Sequence, residues 1–219
     1  LLSRRQRQMC IRDRFQNVSM EFEKGNSYGF VGPNGCGKSV FFKTLCGYSL
    51  LTEGQVIYRG KIIGKEQDFI DDAGIVIEEP EFINSLSGLE NLKILAEIQK
   101  KISEAEIIEV LKQFDLYEDR NKKVGKYSVG MKQKLRLAQA VMEKPQVLIL
   151  DEPMNGLDKK SVKKVEDILK AFVENGGTLL MTSHIEQQVE ACCKIVYEID
   201  GGEILRVTVL PVSYTHLTL

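Results

Sequence analysis

The stretch that decides the fold reads Gly32-Pro33-Asn34-Gly35-Cys36-Gly37-Lys38-Ser39. An apolar run, Tyr28–Val31, precedes it, and a segment with helical character, Val40–Leu45, follows it. This order of strand, glycine-rich loop and helix is the context that a phosphate-binding loop requires. The glycines let the backbone wind tightly, so that several N–H groups can point at phosphate oxygens where the helix begins. An ordinary glycine-rich turn before a helix is the alternative, and the rest of the chain has to decide between the two.

The last two residues of this stretch carry side chains that can act on a nucleotide. Lys38 would reach the β- and γ-phosphates, and the hydroxyl of Ser39 would ligate Mg²⁺. The stretch from Gly32 to Ser39 would thus bind the phosphates, and Lys38 would also assist the reaction. The motif predicts a nucleoside triphosphate and Mg²⁺ as the ligands.

Composition describes an ordinary globular protein with no excess of either charge. The chain has 219 residues, 43% hydrophobic and 28% charged, with a net charge of -1. This balance gives no electrostatic reason to expect a nucleic acid as a partner. No uninterrupted apolar run approaches the roughly 18 residues of a membrane span, so work at a membrane would need another polypeptide to supply the spans. The five cysteines have no metal-binding or disulfide-framework spacing, which fits a reducing, cytosolic compartment.

The two ends of the chain differ from the rest. Residues 1–14 and 208–219 show neither clean periodicity nor recognisable helix caps. Both are similar to peptides that result from translating sequencing-adapter DNA. We therefore expect them to be non-native and the domain to span 15–207, with a basic arm or a targeting segment as the alternatives for the first end.

Apolar runs and turn residues divide the remaining chain into short elements. Strands are expected at 17–22, 74–77, 147–150, 178–181 and 195–197, with a small antiparallel hairpin formed by 54–58 and 61–63. Helices are expected from Lys38 to a C-terminal cap at Gly47, over much of 83–142 with a capping box at Ser103 and Glu106, and at about 160–174. Continuously apolar strands that alternate with helices indicate a parallel sheet buried on both faces. We predict an α/β fold with a mainly parallel core sheet, a small antiparallel β part and a helical lobe inserted at about 83–142.

Two carboxylates follow the apolar strand 147–150 directly. On a buried strand such groups can emerge only at the carboxyl edge, where α/β sheets bind their ligands. Asp151 would hold Mg²⁺, directly or through water. Glu152 would act as the general base for the water that attacks the γ-phosphate. A strand that merely ends in a polar turn is the alternative, and the phosphate-binding loop upstream argues against it.

A third segment, Lys126-Tyr127-Ser128-Val129-Gly130-Met131-Lys132-Gln133, carries a resemblance to a known family. The order of phosphate loop, helical insert, serine–glycine signature, aspartate–glutamate pair and a lone histidine resembles that of ABC-type ATPases. Ser128-Val129-Gly130-Met131 departs from the usual serine–glycine–glycine–glutamine of that family. It is similar to the variant in bacitracin-resistance-type exporter subunits, and the resemblance covers roughly residues 17–206.

The resemblance implies roles for five further residues. Ser128 and Gly130 would contact nucleotide through a hydroxyl and a helix start that allows close approach. Asp158 matches the dimer-facing aspartate that follows the carboxylate pair. His184 matches the switch histidine, which implies a catalytic role for it. Glu78 takes the place of the glutamine that senses Mg²⁺, where a carboxylate can still ligate the metal but adds negative charge beside the phosphates.

The function implied by the resemblance is that of an ATP-binding, ATP-hydrolysing subunit of a bacterial ABC exporter, a P-loop NTPase. Two subunits would close head-to-tail around two ATP molecules and drive a separately encoded transmembrane permease, with peptide antibiotics as a family-level suggestion for the cargo. The subunit would be cytoplasmic and peripheral on the inner face of the cell membrane, with no nucleic acid as a partner. A soluble ABC-type ATPase not coupled to transport and a nucleotide-binding regulatory module are the alternatives.

Overall fold

The computed structural model describes residues 15, 18–78 and 82–209. The strands are β1 (Ser27–Val31), β2 (Ile57–Tyr58), β3 (Lys61–Ile62), β4 (Ala73–Val76), β5 (Val147–Leu150), β6 (Thr178–Ser183), β7 (Ile195–Asp200) and β8 (Glu203–Val209). The helices are α1 (Lys38–Cys46), α2 (Gly88–Gln99), α3 (Glu104–Gln113), α4 (Val129–Val141), α5 (Lys159–Glu174) and α6 (Glu186–Cys192), with a 3₁₀ turn at Val124–Lys126. Within this part of the chain, no helix has both the length and the apolar character that crossing a membrane requires.

One six-stranded sheet forms the core, in the order β4-β5-β6-β1-β7-β8. The pairings among the first five strands of this order are parallel, and β8 is antiparallel to β7. The register places Val31 beside Ser183 and Val76 beside Leu150. The carboxyl ends of β1, β4, β5 and β6 therefore lie along one edge of the sheet. The predicted α/β fold with a mainly parallel core sheet is confirmed.

Both faces of the sheet are covered, which is why the central strand β5 is apolar at every position. Leu148 and Leu150 pack in a cluster with the helices that follow β4, whereas Ile149 packs in a second cluster with Phe41 and Phe42 of α1. All three β5 side chains are buried. Truncating one such leucine to alanine would lower the free energy of unfolding by about 2–5 kcal/mol.

The helices between β4 and β5 begin at strong local signals. The predicted capping box at Ser103 and Glu106 is present at the start of α3. A second capping box, Ser87 with Glu90, begins α2 and was not predicted, although its serine and glutamate have the same spacing. These helices join the larger hydrophobic cluster of the sheet, largely through the buried side chains of α4. This is the helical part that the sequence pattern indicated.

The strand predicted at 17–22 is wrong within the described residues. Residues 18–22 have no regular secondary structure, and Asn17 lies outside the described part. Phe22 packs edge-on against Tyr28 with ring centroids 5.0 Å apart, and the N–H of Glu23 donates to the Tyr28 hydroxyl at 2.6 Å. Alternation of apolar residues reports which side chains are buried, but a strand also needs a neighbour with free backbone groups.

The remaining antiparallel parts are two hairpins. The predicted hairpin is confirmed as β2 and β3, joined by the two-residue turn Arg59-Gly60. The hairpin of β7 and β8 was predicted only in its first strand, although Gly201-Gly202 is a turn signal. In it Val209 pairs with Ile195, so the sheet continues two residues beyond the predicted limit at 207. Of the residues expected to be non-native, 1–14 and 208–219, the structure describes only 208 and 209, and the others lie outside the described part.

Candidate active site

The glycine-rich loop connects the carboxyl end of β1 to the start of α1. Gly32 has a φ of 156°, and a Cβ at this position would lie 2.3 Å from the Ile199 carbonyl oxygen, which no side chain can do. The N–H of Cys36 donates to the Pro33 carbonyl at 3.3 Å, which closes the loop on itself. The loop therefore packs closely against the backbone of β7 at Ile199, and α1 starts directly after the loop.

Lys38 is folded back onto this loop. Its side chain is only 6% exposed, and Nζ donates to the carbonyl oxygens of Gly32 at 2.8 Å and Pro33 at 3.3 Å. The same ammonium lies 3.6 Å from Oε1 of Glu152. A buried cation is thus held by two neutral acceptors and one carboxylate at the mouth of the loop.

Ser39 and Asp151 meet across the sheet edge, as the motif requires. The Ser39 hydroxyl donates to Oδ2 of Asp151 at 2.5 Å. Thr182, the fifth residue of β6, donates its hydroxyl to Oδ1 of Asp151 at 2.6 Å. Each oxygen of this carboxylate is therefore fixed by one hydroxyl group, one from α1 and one from β6.

Glu152 is held by its backbone as well as its side chain. It has a φ of 48°, a left-handed conformation that is uncommon for residues other than glycine. Its N–H donates to the Thr182 hydroxyl at 2.9 Å. Oε2 lies 2.8 Å from Nδ1 of His184 and accepts from the His184 backbone N–H at 3.3 Å. Because a carboxylate accepts, Nδ1 is the protonated nitrogen of this ring.

The other carboxylate oxygen of Glu152 can still accept a hydrogen bond. Oε1 is buried and, among the described residues, accepts no hydrogen bond, although it faces Nζ of Lys38 at 3.6 Å. A buried oxygen in this state is rare in folded proteins and calls for an explanation. The arrangement suits a group that receives a hydrogen bond from a bound molecule.

The donor atoms fit a magnesium ion that is shared with a ligand. Ser39 and Asp151 provide hard oxygen atoms, the type that Mg²⁺ prefers. In the part of the chain that the structure describes, no group of three or more His, Cys, Asp or Glu side chains could hold a metal ion alone. Mg²⁺ is commonly bound by one or two carboxylates together with substrate phosphates, and the geometry here fits that case.

Glu78 does not join the Ser39–Asp151 pair. Its carboxylate forms an ion pair with Lys43, which lies on α1 one turn beyond Ser39. Glu78 has a φ of 60°, and both side chains of the pair are partly exposed, at 63% for Glu78 and 31% for Lys43. The carboxylate that replaces the expected glutamine therefore has a cation of its own beside it.

The signature residues sit at the start of α4. Ser128 caps this helix by accepting from the N–H of Met131 at 3.2 Å. Val129 is 70% exposed. A Cβ at Gly130 would lie 3.0 Å from the Gly156 carbonyl oxygen, so this turn rests closely on the loop after Glu152. Within the described residues, neither Ser128 nor Gly130 contacts Lys38 or Asp151.

Asp158 likewise acts as a helix cap. Its carboxylate accepts from the N–H of Ser161 at 2.9 Å and from the Ser161 hydroxyl at 3.1 Å, at the start of α5. These two hydrogen bonds hold the pKa of Asp158 below its ordinary value. Among the predicted site residues, Lys38, Ser39, Asp151, Glu152 and His184 thus come together, whereas Glu78, Ser128, Gly130 and Asp158 make contacts elsewhere.

Sequence reasoning missed two residues that the site uses. Thr182 joins Asp151 to the backbone of Glu152, and Gln133 on α4 donates to the Pro153 carbonyl at 2.8 Å. A polar residue near the end of β6, the strand paired with β5, was a usable signal for Thr182. Gln133 lies in the segment that carries the family resemblance, but nothing in the sequence pattern indicated its contact, because that contact depends on how α4 lies against the loop.

Comparison with known proteins places this chain in a family. The family model described as ABC transporter matches residues 15–155. The chain belongs to the ABC transporter family, and within it to the ATP-binding subunits, which are ATPases. The predicted membership of the bacitracin-type branch is confirmed by the relatives that follow.

The relatives agree on the kind of subunit. The chain is 38% identical over 188 residues to the uncharacterized ABC transporter ATP-binding protein YybJ of Bacillus subtilis (strain 168), covering 86% of each chain. It is 33% identical over 190 residues to the bacitracin transport ATP-binding protein BcrA of Enterococcus faecalis, covering 86% of this chain but only 62% of BcrA. Its fold is similar to the dimeric post-hydrolysis structure of the ATP-binding cassette MJ0796 bound to ADP and Pi, with a TM-score of 0.81 and 23% identity over 90% of this chain and 91% of that one.

Proposed function

We propose that this chain is the ATP-hydrolysing subunit of a bacterial ABC exporter and that it drives a separately encoded transmembrane permease. The observation that supports this most is the continuous set of contacts that joins Lys38, Ser39, Asp151, Glu152 and His184. The name of BcrA, a bacitracin transport protein, supports a peptide antibiotic as the cargo. The subunit would then work on the cytoplasmic face of the cell membrane, peripheral to the permease.

Binding of ATP would use the loop and the helix behind it. Backbone N–H groups of the loop and of the first turn of α1 would surround the phosphates, where the helix N-terminus favours negative charge. Lys38 would exchange the carbonyl oxygens of Gly32 and Pro33 for oxygens of the β- and γ-phosphates. Ser39 and Asp151 would hold Mg²⁺, and Glu78 would join them only by exchanging Lys43 for the metal. When bound, Mg²⁺ neutralises charge that develops on the phosphate oxygens.

Hydrolysis would divide the two oxygens of Glu152 between two tasks. Oε2 is held by Nδ1 of His184, which fixes the orientation of the carboxylate. Oε1, which accepts no hydrogen bond among the described residues, would take a proton from the attacking water. The water oxygen forms a bond to the γ-phosphorus, the bond from that phosphorus to the bridging oxygen breaks, and ADP leaves with the electron pair. His184 is then a positioning residue, and Glu152 is the catalytic base.

A second copy of the chain would complete each site. Ser128, Gly130 and Asp158 make contacts remote from Lys38 and Asp151 within the described residues, so they would contact nucleotide across a head-to-tail dimer. The exposed start of α4 leaves Val129 open to such a partner. The dimeric, ADP- and Pi-bound structure of MJ0796 supports an arrangement of this kind.

Replacement of Glu152 by glutamine tests the catalytic assignment. An amide cannot accept the proton of the water, so ATP turnover should fall by about 10²- to 10⁴-fold. MgATP binding should persist, because Lys38, Ser39 and Asp151 are unchanged, and the variant should elute as a dimer when ATP is present. The measurements are phosphate release, equilibrium binding of a fluorescent ATP analogue and size-exclusion chromatography. Turnover near that of the wild type would contradict the role of Glu152, and loss of MgATP binding would indicate a structural role instead.

A cellular assay tests coupling to export. The chain would be expressed with the permease encoded next to it, and survival would be measured in bacitracin. The wild-type pair should protect the cells, and the pair with Glu152→Gln should not. Equal survival with both pairs would contradict export of this antibiotic powered by this site.

A further inference from the structure

Gln133 connects the signature helix α4 to the loop that carries the catalytic carboxylate. Its side chain is 5% exposed, and both ends of its amide are used. Nε2 donates to the Pro153 carbonyl at 2.8 Å, and Oε1 accepts from Nη1 of Arg136 at 3.1 Å, both contacts being buried. The residue whose carbonyl it holds is the one directly after Glu152.

The loop after Glu152 needs this contact to complete its hydrogen bonding. The N–H of Asn155 donates to the Glu152 carbonyl at 3.2 Å, and the N–H of Leu157 donates to the Met154 carbonyl at 3.3 Å. Both are bonds within the loop itself. The Pro153 carbonyl, which lies between those two acceptors, instead takes its hydrogen bond from α4.

A second contact comes from the same face of α4. Gly130 and Gln133 are three residues apart, so they lie on one side of the helix. A Cβ at Gly130 would lie 3.0 Å from the Gly156 carbonyl oxygen. The first turns of α4 therefore touch the loop at both of its ends, near Pro153 and near Gly156.

The backbone conformation of Glu152 explains why the hydrogen bond from Gln133 to Pro153 matters for the position of the carboxylate. Its φ of 48° is a left-handed conformation that persists only where surrounding contacts hold it. Thr182 holds the N–H on one side of Glu152, and Gln133 holds the peptide on the other. Loss of either contact would let the backbone relax and move the carboxylate away from its working position.

We propose that Gln133 is a positioning residue for ATP hydrolysis, which fixes Glu152 through the Pro153 carbonyl and links its placement to the signature helix. This inference rests on the proposed role of Glu152 as the base. Because Ser128 caps the start of α4, a movement of the signature residues toward a partner's nucleotide is transmitted by this hydrogen bond to the chain's own Glu152.

Two substitutions separate the two ends of the amide. Gln133→Glu keeps an acceptor for Arg136 but replaces the donor to Pro153 with an oxygen atom. Gln133→Leu removes both contacts. Gln139→Leu is the matched control, since it makes the same chemical change on the same helix at a partly exposed glutamine.

The expected result is a loss of kcat without a loss of ATP binding. A carboxylate displaced by about 1 Å lowers the rate by up to about 10²-fold, so both Gln133 variants should show kcat reduced by about 10- to 100-fold. Their Kd for MgATP should stay near that of the wild type, because the contacts of Lys38 and Ser39 do not involve Gln133. Gln139→Leu should match the wild type in both quantities. Circular dichroism and a thermal melt confirm that each variant is folded at the assay temperature.

A double variant decides whether Gln133 acts through Glu152. In the Glu152→Gln background the base is already absent, so adding Gln133→Glu should leave the residual turnover unchanged. A further drop of about 10-fold in that background would overturn the proposal, because Gln133 would then act independently of Glu152. A kcat of Gln133→Glu equal to that of Gln139→Leu would also overturn it. Near-normal turnover in Glu152→Gln alone would instead show that the proposed function, not the link, is at fault.

Discussion

Two regions of this molecule bear on nucleotide chemistry, and they are held together in different ways. The core region, with Lys38, Asp151 and Glu152, is fixed by contacts between elements far apart in sequence, including those of Thr182 on β6. The signature region is held mostly by local caps, such as Ser128 on Met131, and leaves Val129 exposed. The contacts of the core region therefore depend on the packed sheet, whereas those of the signature region come mostly from the start of its own helix. Within the described residues, Ser128 and Gly130 do not contact Lys38 or Asp151. The hydrogen bond from Gln133 to the Pro153 carbonyl links the signature helix to the loop of Glu152.

The largest expected effect comes from a charge placed on the signature region. Val129→Glu puts a carboxylate at a helix start, where it suits the helix dipole and should leave the fold intact. In a head-to-tail dimer it would face the phosphates held by the other chain, and repulsion should reduce turnover by about 100-fold or more, the order of loss that follows when catalytic groups fail to meet. MgATP affinity of the isolated subunit should stay unchanged. Val129→Gln is the control, because glutamine has the shape of glutamate but carries no charge.

Mixing two inactive variants tests whether the two regions act between chains. A dimer of one Val129→Glu chain and one Glu152→Gln chain contains one site in which both Glu152 and Val129 are native. The mixture should therefore hydrolyse more ATP than the sum of the two variants measured separately. Turnover equal to that sum would contradict the head-to-tail arrangement, and the comparison between the two regions would then need another explanation.

The next effect concerns the hydroxyl that fastens the core region. Thr182→Val would leave Oδ1 of Asp151 and the N–H of Glu152 without their present partner in a buried setting. Such a loss costs about 1–3 kcal/mol of stability, which should lower the melting temperature. Because the carboxylates would no longer be held in place, turnover should fall by about 10- to 100-fold. Thr182→Ser keeps the hydroxyl and should retain most activity. Equal activity in the two variants would show that the hydroxyl has no part in holding the carboxylates.

Sequence reasoning found the core region more completely than the links around it. Lys38, Ser39, Asp151 and Glu152 were predictable because the ends of parallel strands meet at one edge, so motifs far apart in sequence must converge there. Thr182 and Gln133 act through a single hydrogen bond each, and such a bond depends on side-chain positions that hydrophobic periodicity does not describe. The error at 17–22 has the same origin, since a pattern of burial was interpreted as a pattern of backbone pairing.

Glu78 is a second case in which the sequence identified a residue but not its contact. The sequence indicated a carboxylate where a glutamine was expected and raised the question of added negative charge. The answer lies in Lys43, whose ammonium pairs with that carboxylate from one turn along α1. Whether the end of β4 comes within reach of α1 is a property of the packed sheet, so the pair could not be predicted from either segment alone.

A smaller effect is expected when this pair is broken. Lys43→Met would leave Glu78 as an uncompensated charge near the phosphates, and MgATP affinity should weaken by about 3- to 10-fold, since charges at a protein surface interact modestly through water. Adding Glu78→Gln should restore the affinity, and the defect should shrink as salt is raised. The measurement is equilibrium binding in low and high salt. An affinity defect that persists in the double variant would show that Lys43 contacts the nucleotide directly.

The smallest effect concerns the local cap at Asp158 and its dependence on pH. Hydrogen bonds from Ser161 hold the pKa of this carboxyl below its ordinary value. The charged form therefore stabilises the folded chain above the unfolded pKa of about 3.9, and this contribution is lost as the pH falls through the lower folded value. Asp158→Ala should lower the melting temperature by about 2 °C at pH 7. The difference from the wild type should shrink below about pH 4, as thermal melts across this range would show. If the difference in melting temperature between the variant and the wild type stays constant down to pH 2.5, which is about one unit or more below the unfolded pKa, the charge of Asp158 does not contribute to stability.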